Sequence, residues 1–215
     1  MQAVARQWAH DIGHVLCVGA HADDIEIGCA GTLLELTDAN PGITVEWVVL
    51  SASGTRAAET RSAAARLLGA DHRVRTETFP ERYFPAHVGD LKRYFDALGR
   101  RVRPDVVFTP RRADLHQDHR IAAELTWQTF RDQPILEYEI AKYEGDLGRP
   151  NAYVALREQT ARHKVAALLE EFPSQRDRDW FDGEAFRGLL RLRGIECRAP
   201  SGYAEAFHVT KLRLW

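Results

Sequence analysis

The stretch HVLCVGAHADDIEIGCAGTLLEL, residues 14–36, decides the fold. Its first part, His14 to Gly19, is an almost continuous apolar run that predicts a buried β-strand. Its last part, Ala30 to Leu36, has the pattern of an amphipathic helix. Between them lies a short turn rich in charge. We expect this turn at the carboxyl edge of an open sheet, which is where ligands bind in α/β proteins.

The turn carries a histidine and two adjacent acids, His21, Asp23 and Asp24. Burying this much charge in one short segment is costly unless a positive group is present. A divalent metal ion is the simplest such group. Taken alone, the two acids also suit a helix N-terminus, where carboxylates cap free N–H groups and interact favourably with the helix dipole.

Strand and helix patterns alternate four times along the first 131 residues, which favours a parallel sheet with helices on both faces. The last third is less regular. We therefore predict an α/β fold in a single domain over residues 1–215: a Rossmann-like parallel sheet with helices on both faces and an irregular C-terminal α/β extension. The predicted strands are 14–20, 43–50, 72–79, 105–109, 136–143 and 204–209, and the predicted helices are 27–38, one that ends at 68, 88–102, 120–131, 157–171 and 184–193.

The composition excludes several classes of protein. A net charge of −2 with 28% charged residues does not suggest a nucleic-acid-binding surface. The three cysteines have no CxxC spacing, which indicates a reducing compartment rather than a disulfide framework. Neither a signal peptide nor a membrane-spanning segment is recognisable. We expect a cytoplasmic protein with a small-molecule or glycoconjugate substrate, and the pattern leaves a homo-oligomer open.

A second polar cluster, HQDH at residues 116–119, follows the predicted strand 105–109. Each histidine on its own would more often be a surface residue. Because the carboxyl ends of parallel strands meet at one edge of a sheet, we expect this cluster beside the first one. Asp118 is placed to bond a ring nitrogen of His116 and to tune its charge.

Together the two clusters offer the ligands of a catalytic zinc ion. Such sites take three protein ligands from His and Asp or Glu and leave a position for water. His21, Asp24 and His119 form such a set. Asp23 then remains free to act as a general base, and His116 is free to contact the far side of a substrate.

The segments GAHADDIEIGCAGTL and DLHQDH resemble the LmbE-like (PIG-L) deacetylases, whose motifs are His-Pro-Asp-Asp and His-x-Asp-His. Ala22 stands where that family usually has Pro, and Ala30 where Gly is common. Neither change removes a chemical group. The later segments that resemble the family are LEEFPSQRDRDWF (169–181), FRGLLRLRG (186–194) and YAEAF (203–207).

The resemblance implies a zinc-dependent enzyme, with ferrous iron as the alternative metal, that hydrolyses the N-acetyl amide of N-acetylglucosamine-type sugars. One ion per chain is expected. By the family pattern, the metal ligands are His21, Asp24 and His119, the general base is Asp23, the cationic partner of the transition state is His116, and the residue that tunes it is Asp118.

The resemblance also points to substrate-binding residues. Glu26 corresponds to a family position that stabilises the turn or bonds a ligand. Arg56 and Glu59 match an Arg-x-x-Glu that lies near the sugar site in relatives, although a surface arginine at a helix start is an equal alternative for Arg56. Tyr83 and Phe84 are candidates for a wall of the sugar pocket.

Two alternatives remain open from the sequence. The hydrolysed amide can belong to a thiol conjugate or a glycopeptide-like natural product. The chain can instead be a non-catalytic sugar- or nucleotide-binding module, although the first turn lacks the GxGxxG of dinucleotide-binding proteins. The presence of both Asp23 and His116 counts against a module that only holds metal, because such a module needs neither.

Overall fold

The computed structural model describes residues 11–69 and 72–212. Within that part of the chain, one sheet of seven strands and six α-helices make up the fold. The strands are β1 His14–His21, β2 Thr44–Ser51, β3 Arg73–Thr76, β4 Val106–Pro110, β5 Ile135–Tyr138, β6 Ala152–Leu156 and β7 Tyr203–His208. The helices are α1 Asp24–Ala39, α2 Gly54–Leu68, α3 Val88–Arg101, α4 Gln117–Thr129, α5 Glu158–Glu171 and α6 Gly183–Cys197.

The strand order is β3-β2-β1-β4-β5-β7-β6, and the first five of these strands are parallel. Strand β1 pairs with β2 on one side and with β4 on the other. The order therefore reverses between β1 and β4, which makes the crevice beyond their carboxyl ends a topological switch point. The loops that follow these two strands are the two polar segments of the sequence.

Helices cover both faces of the sheet, as predicted. Successive side chains of a strand point to opposite faces, and β1 is apolar on both. Val15 and Cys17 pack in the larger core, with α1, α2, α5 and α6. Leu16 and Val18 pack in the smaller core, with α3 and α4. This two-sided burial explains why β1 reads as a continuous apolar run rather than an alternating one.

The C-terminal extension is more regular than we predicted, because it continues the same sheet. Strand β7 pairs antiparallel with β5, and β6 pairs antiparallel with β7 at the sheet edge. Strand β6 was not predicted. Its sequence, AYVAL, is a short apolar run that resembles the central strands, but it directly follows the turn-rich segment 145–151, and its residues are mostly half-buried or exposed at the sheet edge. The predicted strand 136–143 is also shorter in the structure, where β5 ends at Tyr138.

Two helices begin three residues earlier than predicted, and both shifts affect the polar segments. Helix α1 begins at Asp24 instead of residue 27, and α4 begins at Gln117 instead of residue 120. The acids and histidines of both motifs therefore lie at or near first helical turns, where free N–H groups favour negative charge. All three cysteines are free and buried.

No helix in the described part of the chain combines the length and the apolar character needed to cross a membrane.

Candidate metal and catalytic site

The two polar segments meet beyond the carboxyl ends of β1 and β4. His21 is the last residue of β1, and Asp24 is the first residue of α1. Asp23, between them, adopts a left-handed conformation with φ of +93°. Such a conformation costs a non-glycine residue on the order of 1–3 kcal/mol and is found mainly where function requires it. From the second segment, His119 lies in the first turn of α4.

Ligand-type atoms of three residues converge at this point. His21 Nδ1 lies 3.2 Å from His119 Nε2, which is 3.5 Å from Asp24 Oδ1. The distance from His21 Nδ1 to Asp24 Oδ2 is 3.9 Å. The second oxygen of the carboxylate is held in place, because Asp24 Oδ2 accepts the backbone N–H groups of Ala20 and His21 at 2.8 and 2.9 Å.

The other nitrogen of each imidazole faces a carboxylate. His119 Nδ1 lies 3.0 Å from Asp114 Oδ2, and His21 Nε2 lies 3.0 Å from Asp118 Oδ2. A nitrogen that donates its N–H to a carboxylate leaves the lone pair on the opposite nitrogen. With both imidazoles neutral and in these tautomers, the lone pairs of His21 Nδ1 and His119 Nε2 face each other across 3.2 Å. Such a pair is stable only around a shared cation, either a proton or a metal ion.

The charge around the two imidazoles also favours a cation. Burial opposes the charged form of His119, yet Asp24 and Asp114 raise the pKa of His119 to about 10. Burial alone would raise the pKa of Asp24, but His119 and His21 hold it below its ordinary value. In zinc sites, ligand bonds of about 2.0–2.2 Å put tetrahedral neighbours about 3.3–3.6 Å apart. The separations of His119 Nε2 from His21 Nδ1 and from Asp24 Oδ1, 3.2 and 3.5 Å, lie in or close to that range, and the 3.9 Å between His21 Nδ1 and Asp24 Oδ2 exceeds it.

Asp114 was missed in the sequence, although it begins the DLHQDH segment. It is buried, and its carboxylate lies on the far side of the His119 ring from the converging donors. Metal-binding histidines usually donate their second N–H to such a carboxylate, which sets the tautomer and the ring orientation. An acid five residues before a ligand histidine is the only signal that could have indicated it.

The carboxylate of Asp118 differs from our expectation. We predicted that it bonds the ring of His116, but its ring partner in the structure is His21. It also accepts the backbone N–H groups of Arg82 and Phe84. The physical reason is the helix start: Asp118 lies in the first turn of α4, which directs its side chain towards β1 and the loop after β3. Asp118 thus orients a candidate metal ligand instead of bonding the His116 ring, although its negative charge still acts to raise the pKa of His116.

His116 lies at the N-cap of α4 and contacts both other histidines. Its ring stacks on His119 with a centroid distance of 4.6 Å and meets His21 edge-on at 4.9 Å. His116 Nδ1 accepts the backbone N–H of Asp118 at 3.2 Å, so the ring proton belongs on Nε2. Burial and the neighbouring His119 and His21 lower the pKa of His116. The geometry therefore favours a neutral Nε2–H donor, where the resemblance implied an imidazolium.

Asp23 is buried beside the converging donors and makes an ion pair with Arg56, with 3.2 Å between Asp23 Oδ2 and Arg56 Nη2. Burial raises the pKa of Asp23 to about 7, against the opposing charge of Arg56 and with a contribution from Asp24. Arg56 also donates to the backbone carbonyl of Ala22. This arrangement orients the Asp23 carboxylate and holds the strained turn in place.

Glu59 holds Arg56 and is not free for a substrate. It is buried, with Arg56 Nη1 3.2 Å from Glu59 Oε2. Its two oxygens also accept the backbone N–H and the hydroxyl of Ser174 at 2.9 and 2.7 Å. The predicted substrate-binding pair Arg56 and Glu59 therefore connects Asp23 to the 3₁₀ turn Pro173–Gln175 that follows α5. The pair does lie near the site, but its side chains contact protein groups.

Glu26 and Phe84 are both fully buried. Neither carboxylate oxygen of Glu26 has a hydrogen-bond partner among the described residues, and burial raises its pKa well above the ordinary value. Phe84 packs in the smaller core, with its ring centroid 6.0 Å from that of His21, so it supports the His21 ring from the core side. Tyr83, in contrast, is exposed and remains a candidate for the rim of the pocket.

A second ligand set needs consideration. One ring nitrogen from each of His21, His116 and His119 lies within 4.8 Å of the others, so three imidazoles can in principle hold an ion. In that arrangement the Asp24 carboxylate would be left beside the ion without a role. His116 Nδ1 already accepts the backbone N–H of Asp118, so we take His21, Asp24 and His119 as the candidate set, with His116 next to the ion.

A family model and a curated relative both match the sequence of this chain. Residues 16–130 match the family model described as PIG-L, GlcNAc-PI de-N-acetylase. The chain is 31% identical over 167 residues to the Escherichia coli (strain K12) protein described as "uncharacterized deacetylase YaiS", an alignment that covers 72% of this chain and 88% of the relative.

Two solved structures share the fold over nearly the whole chain. The conserved protein TT1542 from Thermus thermophilus is 27% identical with a TM-score of 0.72, and the match covers 94% of this chain and 96% of that protein. The N,N'-diacetylchitobiose deacetylase from Pyrococcus horikoshii is 21% identical with a TM-score of 0.69, covering 93% and 84% of the two chains.

Proposed function

The chain belongs to the PIG-L (LmbE-like) family of deacetylases, and from this premise we propose that it is a metal-dependent hydrolase of N-acetyl amides. The proposed substrate is an N-acetylglucosamine-type sugar or glycoconjugate, and the products are acetate and the free amino sugar. The observation that carries the proposal is the convergence of His21 Nδ1, His119 Nε2 and the Asp24 carboxylate, with a second buried acid, Asp23, next to them.

We assign the metal to His21 Nδ1, His119 Nε2 and Asp24, with zinc or ferrous iron as the ion. An ion bound there polarises the amide carbonyl and makes an attacking water more acidic. Asp114 and Asp118 hold the two ligand imidazoles from behind through their second nitrogens. The site thus consists of three proposed ligands and of two further carboxylates, each of which holds one ligand histidine.

Asp23 is the general base. Its carboxylate takes a proton from the water that attacks the acetyl carbon, and it passes that proton to the amide nitrogen when the carbon–nitrogen bond breaks. Arg56 keeps the carboxylate in position for both transfers. The Nε2–H of His116 donates a hydrogen bond to the carbonyl oxygen as negative charge develops there, which is typically worth a few kcal/mol of barrier, about 3 in well-studied cases.

The substrate class is supported by relatives rather than by contacts in this chain. The archaeal neighbour acts on diacetylchitobiose according to its description, and the matching family model is described by its action on GlcNAc-PI. Both are N-acetylglucosamine derivatives, which is why we place the acetamide on such a sugar. Amides of thiol conjugates and glycopeptide-like compounds are the alternatives to include in a substrate panel.

The test is acetate release by metal-quantified protein. We would supply N-acetylglucosamine, its phosphorylated and nucleotide-linked forms, several N-acetylglucosaminides and an N-acetylated thiol conjugate. Wild-type protein should release acetate from at least one sugar. Asp23→Asn should retain metal and lose about 10²–10⁴-fold in turnover, because asparagine tolerates the left-handed backbone but cannot accept the proton.

Full turnover by Asp23→Asn would contradict the assignment of the base. Stoichiometric metal without acetate from any sugar would reject the proposed substrate class. Acetate from the thiol conjugate alone would move the activity to that alternative.

A further inference from the structure

The connection between β5 and β6 carries a buried lysine that contacts the metal site from behind. Lys142 Nζ lies 3.0 Å from Asp114 Oδ2 and 2.6 Å from Asp146 Oδ1. Only 8% of the Lys142 side chain is exposed. A buried ammonium is costly unless it is paired, so the sequence retains this charge at a place where a neutral residue would be easier to bury.

Lys142 contacts the same oxygen that holds the ligand histidine. Asp114 Oδ2 forms an ion pair with Lys142 Nζ and lies within hydrogen-bond distance of His119 Nδ1, each at 3.0 Å. The other oxygen, Asp114 Oδ1, accepts the backbone N–H of His116 at 2.8 Å. The carboxylate is therefore held on both sides, and its orientation determines the direction in which the His119 ring presents Nε2.

The same connection is attached to the second motif at further points. Asp146 Oδ2 accepts the backbone N–H of Leu115 at 2.6 Å, and Arg111 donates to the Asp146 carbonyl at 3.2 Å. A Cβ atom at Gly148 would overlap the Arg111 guanidinium. These contacts fix the backbone that carries Lys142 relative to the segment that carries Asp114. The Lys142 ammonium therefore has a defined position beside Asp114.

We propose that Lys142 is a positioning residue of the metal centre, which acts through Asp114 to hold the His119 imidazole in its ligand orientation. The proposal rests on the proposed function only in the assignment of His119 as a metal ligand. A positioning role predicts that removing the Lys142 ammonium weakens metal binding, which is the opposite of what charge repulsion alone predicts. A nearby ammonium repels a divalent cation, so removing it would tighten metal binding if Lys142 acted only through its charge.

The experiment measures the zinc dissociation constant of the purified full chain by chelator competition. Lys142→Met should bind zinc about 10–100-fold more weakly than wild type, the usual cost of losing a group that orients a ligand from outside. The rise in melting temperature on adding zinc should shrink accordingly. Lys142→Arg should recover most of the affinity, because arginine keeps a donor within reach of Asp114.

Lys164→Met is the matched control. Lys164 is a lysine with an even more buried side chain that pairs with Glu205 away from the site. Its loss should lower the melting temperature with and without zinc by similar amounts and leave the zinc dissociation constant unchanged. A lysine that merely supports the fold would behave in this way at position 142 as well, so this outcome for Lys142→Met would overturn the proposal.

A double-mutant cycle tests the route through Asp114. In the Asp114→Asn background, Lys142→Met should cause little further loss of zinc affinity. An equal loss in both backgrounds, or tighter binding in the single variant, would overturn the proposal. If Lys142→Met does not fold, Asp146→Asn replaces it, because it removes the second charge partner of Lys142 and should also weaken zinc binding; unchanged affinity there would overturn it too.

The two proposals for this protein fail in different ways. Wild-type protein that binds zinc but releases no acetate would reject the sugar deacetylase and leave the role of Lys142 standing. Zinc bound without any contribution from Lys142 would reject the positioning role alone. Wild-type protein that binds no metal would overturn both.

Discussion

Helix α1 contacts two buried clusters of charge that differ in one respect. In the middle of the helix, Lys164 Nζ donates to the Ile27 carbonyl and to Glu205 Oε1, both at 2.6 Å. Glu205 also accepts the backbone N–H groups of Gly31 and Thr32. Every charged group of this cluster has an opposite charge and a backbone group as partners.

The cluster at the start of α1 is less balanced. Asp23 has a raised pKa and a left-handed backbone, and Glu26 has no hydrogen-bond partner within the described residues. His21 Nδ1 and His119 Nε2 lie 3.2 Å apart, so a proton or a metal ion is needed between them. A buried carboxylate without a partner and a strained backbone both lower stability, so their presence here indicates a site built for something other than stability. We infer that the Lys164–Glu205 cluster stabilises the fold, whereas the cluster at the start of α1 serves binding and catalysis.

The largest effect is expected when a proposed metal ligand is removed from the cluster at the start of α1. His119→Ala leaves Asp24 and His21 without the third donor, so the loss of metal affinity should exceed the roughly 10–100-fold cost of changes outside the ligand set. Acetate release should disappear with the metal. Metal content and the zinc dissociation constant are the measurements. His87→Ala, at a partly exposed histidine near Asp90, is the control, and equal behaviour of the two variants would show that His119 is no ligand.

Breaking the balanced cluster should affect stability rather than chemistry. Lys164→Met leaves the Glu205 carboxylate buried without its charge partner, which typically costs about 3–5 kcal/mol of unfolding free energy. Urea unfolding at neutral pH checks the loss. Replacing both partners, in Lys164→Met with Glu205→Leu, should recover part of it, because the pair also carries a desolvation cost. A lower turnover per folded, zinc-loaded molecule would mean that this cluster also serves the chemistry.

The smallest effect is expected at a third buried pair. Glu139 accepts two hydrogen bonds from Arg193, at 2.8 Å each, and has His208 at 3.6 Å. Burial opposes ionisation of Glu139, but His208 and Arg193 outweigh it and hold the pKa of Glu139 below its ordinary value. The stabilising contribution is therefore complete above the unfolded-state pKa of about 4.3. It is lost as the pH falls through the lower pKa of the folded state.

Glu139→Gln should remove that part of the pH dependence. The slope of unfolding free energy against pH, measured by urea unfolding from pH 6 down into the acid range, should be flatter in the variant than in wild type. Glu170→Gln, at an exposed position on α5, is the control and should keep the wild-type slope. An unchanged slope in Glu139→Gln would show that the folded protein does not favour the ionised form.

The sequence by itself determined the parallel sheet, the helices on both faces and the meeting of the two motifs. These features follow from local patterns: β1 is apolar on both faces, and loops after parallel strands reach the same edge. His21, Asp24 and His119 could be proposed as metal ligands in advance, because a metal site requires particular atom types close together and these two segments supplied them; the structure brings the three side chains together.

Only the tertiary structure decided which partner each polar side chain takes. Asp118 holds His21 instead of His116, Asp114 and Lys142 stand behind His119, and Arg56 orients Asp23. These pairs join residues from different loops, and an acid or base in a loop looks the same in the sequence whichever neighbour it meets. Whether a hydrogen bond forms depends on differences of a few tenths of an ångström in the donor–acceptor distance and on the direction of each side chain. Both are set by how the helices pack on the sheet.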